Sequence, residues 1–425
     1  MTPTHLNRHA GRLFEHGALV MCAVLALPTP ARADATATAT ATLPPVAVTG
    51  HYGNAVGSSD AASEGVIRAE LLKSRPALRP GEVLEFVPGM IVTQHSGDGK
   101  ANQYFLRGFN LDHGTDFATT VNGVPVNMPS HGHGQGYTDL NFLMPELVQR
   151  IGYRKGPYFA ENGDFSAAGS ADIAYRTQLD APFAQLSLGE RAYRRLLGAG
   201  STTLAGGHTL LGAVELSGNN GPWTVPEHLR RANLLLTAST GTAAEGASAG
   251  LLAVEAPGAA PDQVPERLID GRVPGAAPFG RFDSLDATSG GRTARHSLSG
   301  EWHRRQGDGQ TRVSAYAMRY SLALYSNFSY AMERPAQGDQ FLQRDARSVY
   351  GASASRSIEH AFGERSARSE FGVQLRHDRV RVGLFESAAR RVTATTREDV
   401  VRETSLGLYG ETAVQWTPWL RSVAG

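Results

Sequence analysis

The sequence has one cysteine, almost no net charge and no long apolar runs, and each of these shortages excludes a class of protein. Cys22 is the only cysteine in 425 residues, which leaves neither a disulfide framework nor a cysteine metal site. Lys and Arg number 41 against 40 Asp and Glu, so a net charge of +1 provides no basic field for nucleic acid. Apolar runs of ~20 residues, which a helical membrane bundle needs, are missing. The 48 glycines instead favour a chain with many turns, as β-rich proteins have.

Several motifs of common enzyme classes are also missing. The sequence has no H-E-x-x-H zinc motif, no P-loop and no intact G-x-G-x-x-G dinucleotide motif. Residues Gly132–Gly136 are rich in glycine but lack the dinucleotide spacing. We therefore expect a protein that is not an enzyme, with no catalytic residues and no intrinsic cofactor.

The first 33 residues have the three-part pattern of a secretory signal peptide. Arg8 and Arg12 precede an apolar run of ten residues, Ala18–Leu27, and Ala31-Arg32-Ala33 follows as an A-x-A cleavage site. Ten apolar residues are too few to cross a bilayer as a helix. We predict residues 1–33 as a signal peptide, with a short buried helix as the alternative.

Residues 34–62 are predicted to form a flexible linker. The linker begins with the low-complexity stretch DATATATAT at 34–42, which offers no core to bury. Leu43–Gly50 follows with two prolines and alternating β-branched residues, a pattern that favours an extended backbone. Such a segment can add as a strand to the sheet edge of another protein. A simple extended lead-in to the next domain is the alternative.

Residues 63–176 are predicted to form an α+β domain. Helical spacing of apolar residues predicts short helices at Ala69–Ser74, Gly81–Val87 and Pro145–Ile151. Short strands are predicted at Met90–Thr93, Tyr104–Phe109 and Ala171–Tyr175. Between two further apolar runs lies Asn122-Gly123, the strongest short hairpin signal that a sequence offers.

Four motifs follow one another along the chain: LPPVAVTG (43–50), EVLEFVPGMIVT (82–93), FLRGFNLDHGTDFATTVNGVPVN (105–127) and ELVQRIGYRKGPYFAENGDFSAAGSADI (146–173). In this order they resemble the plug domain of TonB-dependent outer-membrane transporters. The matching parts of that family are the TonB box, the VPG motif before a strand, the RG strand with its NG hairpin, and the RGP segment. The resemblance implies energy coupling by TonB with ExbB and ExbD. It also implies TonB contacts at Leu43, Val46, Ala47, Val48 and Thr49.

Residues 177–425 lose the helical periodicity and alternate apolar with polar or small side chains. Examples are Phe183–Leu188, Leu210–Leu216, Arg312–Tyr320, Ser353–Ile358, Ser369–His377 and Leu406–Trp416. Transmembrane barrel strands alternate in this way over ~9–11 residues, and the polar stretches Pro257–Gly291 and Asn327–Arg344 suit long outer loops. We predict an antiparallel transmembrane β-barrel wall, with a soluble β-sandwich or β-helix as the alternative.

The length of this second part is too small for a whole barrel of the resembling family. At ~20–25 residues for each strand and its connection, 249 residues provide roughly ten to twelve strands. Plugged outer-membrane transporters have about 22. We therefore expect a fragment that contains one plug and about half of a barrel.

Three histidines lie on polar loops of the predicted plug. His113 is in LDHGTD (111–116), and His131 and His133 are in SHGHG (130–134). Imidazoles on loops beside carboxylates are suitable ligands for zinc, copper or iron, so these three are the candidate metal ligands. Hydrogen bonding of the same histidines to the barrel wall is the alternative. Further candidates for ligand contact are Tyr104, Asp112 and Tyr137, although the aromatic side chains could equally pack the plug against the wall.

Together these features predict an outer-membrane receptor of a Gram-negative bacterium that takes up a scarce solute. A ferric siderophore-type chelate is the first candidate for the solute. The alternatives are uptake of zinc or copper through the plug histidines, and a signalling receptor. The expected partners are TonB with ExbB and ExbD, outer-membrane lipid, and a small-molecule or metal ligand. The only expected metal is the transported ion or chelate itself.

Overall fold

The computed structural model describes residues 63–75, 79–94, 99–259, 264, 266–272 and 279–425. The predicted signal peptide, the linker and the candidate TonB contacts from Leu43 to Thr49 lie outside these residues. No helix in the described ranges is long and apolar enough to cross a membrane.

The first part of the described chain forms two small sheets with short helices. Its strands are β1 (Glu64–Arg68), β2 (Met90–Thr93), β3 (Gln103–Leu106), β4 (Phe109–Asn110), β5 (Phe117–Val121), β6 (Val124–Pro125), β7 (Val148–Arg154) and β8 (Gly169–Tyr175). Its helices are α1 (Ala69–Lys73) and the 3-10 helices Pro80–Phe86, Pro145–Leu147 and Ala160–Asn162. One sheet has the order β1-β7-β8-β5-β6, with only β5 and β8 parallel, and the other is β2-β3-β4. The α+β prediction is confirmed, as is the hairpin at Asn122-Gly123, which joins β5 to β6.

The helix predicted over Pro145–Ile151 is wrong beyond its first turn. Pro145 begins a 3-10 helix that ends at Leu147, and the chain then continues as β7 from Val148. β7 lies between β1 and β8, and its backbone pairs antiparallel with both. Pairing on both sides satisfies the backbone of β-branched Val148 and Ile151 in a strand, which outweighs their weak helical spacing.

The described residues of the second part form one antiparallel sheet of 11 strands, within the predicted ten to twelve. The strands are β9 (Phe183–Leu188), β10 (Arg194–Thr203), β11 (Thr209–Asn219), β12 (Leu229–Gly241), β13 (Glu245–Ala259), β14 (Gly290–Gln306), β15 (Gly309–Ser326), β16 (Phe341–Phe362), β17 (Arg365–Ala388), β18 (Arg391–Thr417) and β19 (Leu420–Ala424). A short helix, α2 (Glu266–Ile269), lies in the connection from β13 to β14. Each strand pairs with the next along the chain, which is the order of an up-and-down barrel wall. We call this sheet the wall and residues 63–176 the plug.

The two faces of the wall differ because side chains alternate along each strand. On β10, Leu197 is fully buried toward the plug, whereas the neighbouring Leu196 on the other face is 41% exposed. On β18, Leu406 and Leu408 are 67% and 79% exposed on the same outer face. An outer face rich in exposed leucine is typical of strands that contact lipid.

The connections of the wall also differ between its two ends. At one end they are short, as at residues 242–244, 307–308 and 363–364. At the other end they include the long connections 260–289, which is only partly described, and 327–340. These two correspond to the predicted polar loops, although the flanking strands extend further into them than the sequence indicates.

A shared apolar core joins the plug to the wall. One cluster of buried residues contains Ile67, Leu84 and Val121 of the plug together with Leu197 and Leu235 of the wall. Burial of apolar area contributes about 25 cal/mol per Å², so a continuous cluster holds the two parts together without any directional bond.

Buried charge lies beside this core, and Glu215 of β11 is at its centre. Its side chain is fully buried and accepts hydrogen bonds from Arg231 Nε at 3.0 Å and Asn233 Nδ2 at 3.0 Å. Arg195 Nη2 lies 2.5 Å from the same carboxylate, and Arg195 Nη1 lies 2.5 Å from Glu146 Oε1 of the plug. Glu215 therefore neutralises two arginines that would otherwise be buried without sufficient counter-charge.

We predict that Glu215→Ala lowers the free energy of unfolding by about 3–5 kcal/mol, because removing one partner leaves buried charge uncompensated. Glu301→Ala is the matched control, since Glu301 forms a solvent-exposed pair with Arg312 at 3.8 Å. Its loss should cost at most about 1 kcal/mol. Urea unfolding of the protein in detergent micelles, followed by tryptophan fluorescence, measures both changes. Equal losses for the two variants would contradict the assigned role of Glu215.

Candidate functional site

The plug presents a loop, residues 129–136, to the inner face of the wall, and we call it the histidine loop. An antiparallel bridge between Met128 and Tyr137 closes its base. Asn127 is buried beside the bridge, where its Nδ2 donates to the carbonyl oxygens of Gly114 at 2.9 Å and Phe117 at 3.0 Å. These bonds fix the loop against the turn that contains His113.

Glycine is required where that turn meets the base of the loop. Gly114 has φ +116°, in a region that favours glycine, and a Cβ there would lie 2.3 Å from Thr138 Oγ1. The absence of this Cβ lets the carbonyl oxygen of His113 accept a hydrogen bond from the Thr138 N–H at 2.7 Å. His113 is thereby held next to the loop, although the loop begins some 16 residues later.

The structure brings the three predicted histidines together. The ring centroids of His113 and His133 are 4.7 Å apart, and the ring of His131 stacks on Tyr137 at 4.0 Å with an interplanar angle of 10°. His113 Nδ1 lies 3.1 Å from the backbone oxygen of Asn102, and His133 Nδ1 lies 2.8 Å from Gln343 Oε1 of β16. In the described part of the chain, no group of three or more His, Cys, Asp or Glu side chains has an arrangement that would hold a metal ion.

Burial shifts the pKa values of the titratable groups inside this site toward their uncharged forms. It lowers the pKa of His113, and it holds the pKa of His131 well below the usual value, with the positive charge of Arg347 acting in the same direction. Burial likewise raises the pKa of Asp139, and it raises the pKa of Tyr137 with the help of the Asp139 charge. His113 and His131 are therefore uncharged at neutral pH.

The inner face of the wall holds the histidine loop mainly through the backbone of the loop. Arg347 Nη1 donates to the carbonyl oxygen of Pro129 at 2.7 Å, and Gln343 Nε2 donates to that of Gly132 at 2.9 Å. Asp345 Oδ2 accepts from the Gly132 N–H at 3.3 Å, and Ser130 Oγ contacts Glu403 Oε1 of β18. Because most of these bonds involve carbonyl oxygens and N–H groups of the loop backbone, they hold the loop in place independently of its histidine side chains.

Sequence reasoning missed these wall residues. Gln343, Asp345 and Arg347 lie more than 200 positions from the loop, and only their polar alternation within a strand indicated that they share one face. Arg376 of β17 was missed in the same way, and its Nη1 donates to the carbonyl oxygen of Asn127 at 2.9 Å.

The other predicted contact residues differ in accessibility. Tyr104 and Tyr137 are buried, at 1% and 0% exposure. The Tyr104 hydroxyl donates to the Thr138 carbonyl oxygen at 3.0 Å, and the Tyr137 hydroxyl accepts from the Ala101 N–H at 2.8 Å. Both rings thus pack inside the protein, whereas the Asp112 side chain is 53% exposed at the edge of the site.

One sequence match to a catalytic motif has the wrong structural setting. Gly246-Ala-Ser-Ala-Gly250 fits G-x-S-x-G, the nucleophile pattern of α/β-hydrolases. It lies within β13, a paired strand of the wall, whereas the motif requires a sharp turn from a strand to a helix. This serine has no nucleophile geometry.

Comparison with known proteins identifies the plug and the fold of the wall. Residues 58–170 match the family model described as the TonB-dependent receptor plug domain. The ferric citrate transporter FecA in its unliganded form shares the fold at a TM-score of 0.62 and 14% identity, covering 83% of this chain and 52% of FecA. The ferric-catecholate import receptor Fiu of E. coli K12 gives 0.62 and 12%, covering 84% and 57%. The copper transporter OprC gives 0.59 and 13%, covering 83% and 52%.

This chain spans about half the length of these structures, and its wall corresponds to about half of a barrel. Residues 58–170 therefore form a plug domain of the TonB-dependent receptor type, and the wall that follows shares the fold of these structures.

Proposed function

We propose that this chain acts in the TonB-dependent uptake of a scarce solute across the outer membrane of a Gram-negative bacterium. The observation that carries the proposal is a TonB-dependent receptor plug domain packed against a wall whose other face exposes leucines such as Leu406. The outer face would contact outer-membrane lipid, and the plug would close the path along the inner face until it is moved.

The contacts between plug and wall indicate why an outside source of work is needed. Hydrogen bonds to charged groups contribute about 1.5–3 kcal/mol each, and Arg347 and Arg376 both donate such bonds to plug carbonyls. The outer membrane has no nucleotide supply, so the work has to come from another protein. Leu43–Gly50 is the proposed handle, through strand addition to TonB, with ExbB and ExbD as the energy source.

A ferric siderophore-type chelate is the proposed cargo. FecA, a ferric citrate transporter, and Fiu, a ferric-catecholate import receptor, support this choice because they share the fold of plug and wall. The histidine loop is the proposed contact on the plug, with Asp112 at its accessible edge.

We predict that deleting residues 43–50 from the full-length protein reduces uptake of ferric chelate to the level of a strain without TonB. Binding of the chelate at the cell surface should remain, because the deleted segment lies outside the plug and the wall. Accumulation of radioactive iron in cells, compared with binding at 0 °C, separates the two steps. Deletion of residues 35–42, also eight residues long, is the control and should leave uptake intact. Normal uptake without residues 43–50 would contradict the proposal.

We also predict that fastening the histidine loop to the wall blocks uptake but not binding. Ser130 and Glu403 are in contact across the interface, so Ser130→Cys with Glu403→Cys can be joined by a short bifunctional thiol reagent. The only native cysteine, Cys22, lies in the predicted signal peptide and would not compete. Uptake should fall to background after cross-linking.

A cross-link within the wall is the control for this experiment. Ser314 and Ser353 are directly paired on β15 and β16, with their hydroxyl oxygens 2.7 Å apart. Ser314→Cys with Ser353→Cys, joined by the same reagent, should leave uptake unchanged because both positions belong to the wall. Full uptake with the loop cross-linked would show that the loop does not have to leave the wall.

A further inference from the structure

The outer face of the wall carries arginines that line up across four adjacent strands. Arg319 of β15 lies opposite Ser348 of β16, which in turn lies opposite Arg379 of β17. Arg379 lies opposite Arg402 of β18, and Arg402 is on the same face as Leu406, four residues further along the strand without an intervening bulge. Arg319, Arg379 and Arg402, which we call the arginine row, are therefore exposed side chains of the outer face.

The charge of the arginine row is not balanced within the protein. Arg379 and Arg402 are direct cross-strand neighbours, and like charges in such positions are destabilising. Arg381, the next outward-facing residue of β17, has its Nε 3.9 Å from Glu398 Oε1. In the described part of the chain, no member of the arginine row has a carboxylate at such a distance. The row therefore offers three unpaired guanidinium groups to an anion from outside the protein.

The arginine row lies along one border of the apolar band of the outer face. Arg319 is opposite His296 of β14, whereas Arg304 of the same strand lies near the short connection 307–308. Between these borders β14 exposes Leu298 and Trp302, at 57% and 37%. Eight residues at ~3.4 Å each, on a strand tilted by about 40°, cover about 20 Å, which is comparable to the ~25 Å band of outer-membrane barrels. Short connections of such barrels face the periplasm, so the row lies at the headgroups of the outer leaflet.

We propose that the arginine row binds the phosphorylated headgroup of a lipid in the outer leaflet, whose acyl chains then lie along the apolar band. Guanidinium groups bind phosphate through paired, charge-assisted hydrogen bonds. Neighbouring strands are ~4.8 Å apart, so the row extends over about 15 Å, and its long side chains can converge on one headgroup. The hydroxyl group of Ser348, in the middle of the row, is a further hydrogen-bond donor.

The position of the row favours a lipid over a soluble anion or an acidic peptide. Leu406 follows Arg402 on the same face of β18 and is 67% exposed, so cationic and apolar surface are continuous. A soluble anion would contact the arginines alone, whereas a phosphorylated lipid meets both surfaces at once. This inference rests on the proposed location in the outer membrane, but it does not depend on the uptake of any solute.

The first test compares two lipids on the unmodified protein. The full-length receptor in detergent is titrated with bis-phosphorylated lipid A, and separately with the same lipid after both phosphates have been removed. Native mass spectrometry measures both Kd values. Removal of the phosphates should weaken binding by at least about tenfold, because one hydrogen bond to a charged group is worth about a factor of ten in affinity. Equal Kd values would overturn the proposal.

The second test removes charge from the row. Arg379→Gln combined with Arg402→Gln should weaken lipid A binding by at least about tenfold. Arg304→Gln combined with Arg356→Gln is the matched control, since these arginines share a cross-strand row through Thr311 at the opposite border of the band. Its Kd should stay within about twofold of the parent value, because that border is more than a Debye length of about 10 Å from the headgroup.

The unfolding temperature separates lipid binding from a structural role of the same arginines. Without lipid, Arg379→Gln combined with Arg402→Gln should unfold in detergent at the same temperature as the parent or higher, because two opposed like charges are removed. An excess of lipid A should stabilise the parent more than the variant. A lower unfolding temperature of the variant without lipid would show that the arginines support the fold, and this would overturn the proposal.

Two outcomes of the affinity measurements would also remove the lipid site. One is an unchanged Kd when Arg379 and Arg402 are replaced, and the other is an equal loss when Arg304 and Arg356 are replaced. Deletion of residues 43–50 should abolish uptake and leave lipid A binding intact. Normal uptake by a receptor that does not distinguish the two lipids would remove this inference alone. Phosphate-dependent lipid binding without TonB-dependent uptake would remove the proposed uptake alone.

Discussion

The buried ion pairs on the inner face of the wall are the constraint on which the arrangement of the plug depends. Arg347 is fully buried, with Nη2 at 2.6 Å from Asp345 Oδ2 and Nη1 at 3.6 Å from Asp378 Oδ1. Buried charges are costly unless all their donors and acceptors are satisfied, and the wall alone does not satisfy these. The carbonyl oxygen of Pro129 accepts from Arg347, and the N–H of Gly132 donates to Asp345. The histidine loop thus supplies hydrogen-bond partners to the buried charges of the wall. These bonds, rather than the local sequence of the loop, determine where the loop lies.

This dependence also bears on how the plug could be displaced. When the loop leaves the wall, the polar atoms of Arg347, Asp345 and Gln343 lose plug partners, and water has to replace them. Interactions of this kind are directional and are lost over a short displacement, whereas the apolar cluster around Leu197 and Leu235 loses stability gradually with exposed area. The polar contacts therefore set a threshold for movement, and the apolar contacts set how much work the remaining movement takes.

The sequence predicted features whose causes are local. The Asn122-Gly123 hairpin depends on two residues that adopt positive φ, and the alternation of the wall strands depends on a period of two. The helix over Pro145–Ile151 was wrong because its true state, strand β7, is fixed by pairing with β1 and β8, which no local pattern reveals. For the site, His113, His131 and His133 were predicted as candidate metal ligands because they lie on polar loops beside carboxylates, and the structure brings the three together. The contacts of His133 with Gln343 and of the loop with Arg347 join segments more than 200 residues apart and required the structure.

Gln343 of the wall contacts both the ring of His133 and the backbone of the histidine loop. Its amide oxygen lies 2.8 Å from His133 Nδ1, which orients the ring, and its amide nitrogen donates to the carbonyl oxygen of Gly132, which holds the loop to the wall. When the loop is displaced from β16, both contacts are lost in the same movement, so the position of the loop and the orientation of the His133 ring depend on one side chain of the wall. Because the two bonds share Gln343, the loop cannot leave the wall in small independent steps, and this supports the view that the polar contacts resist the start of plug movement.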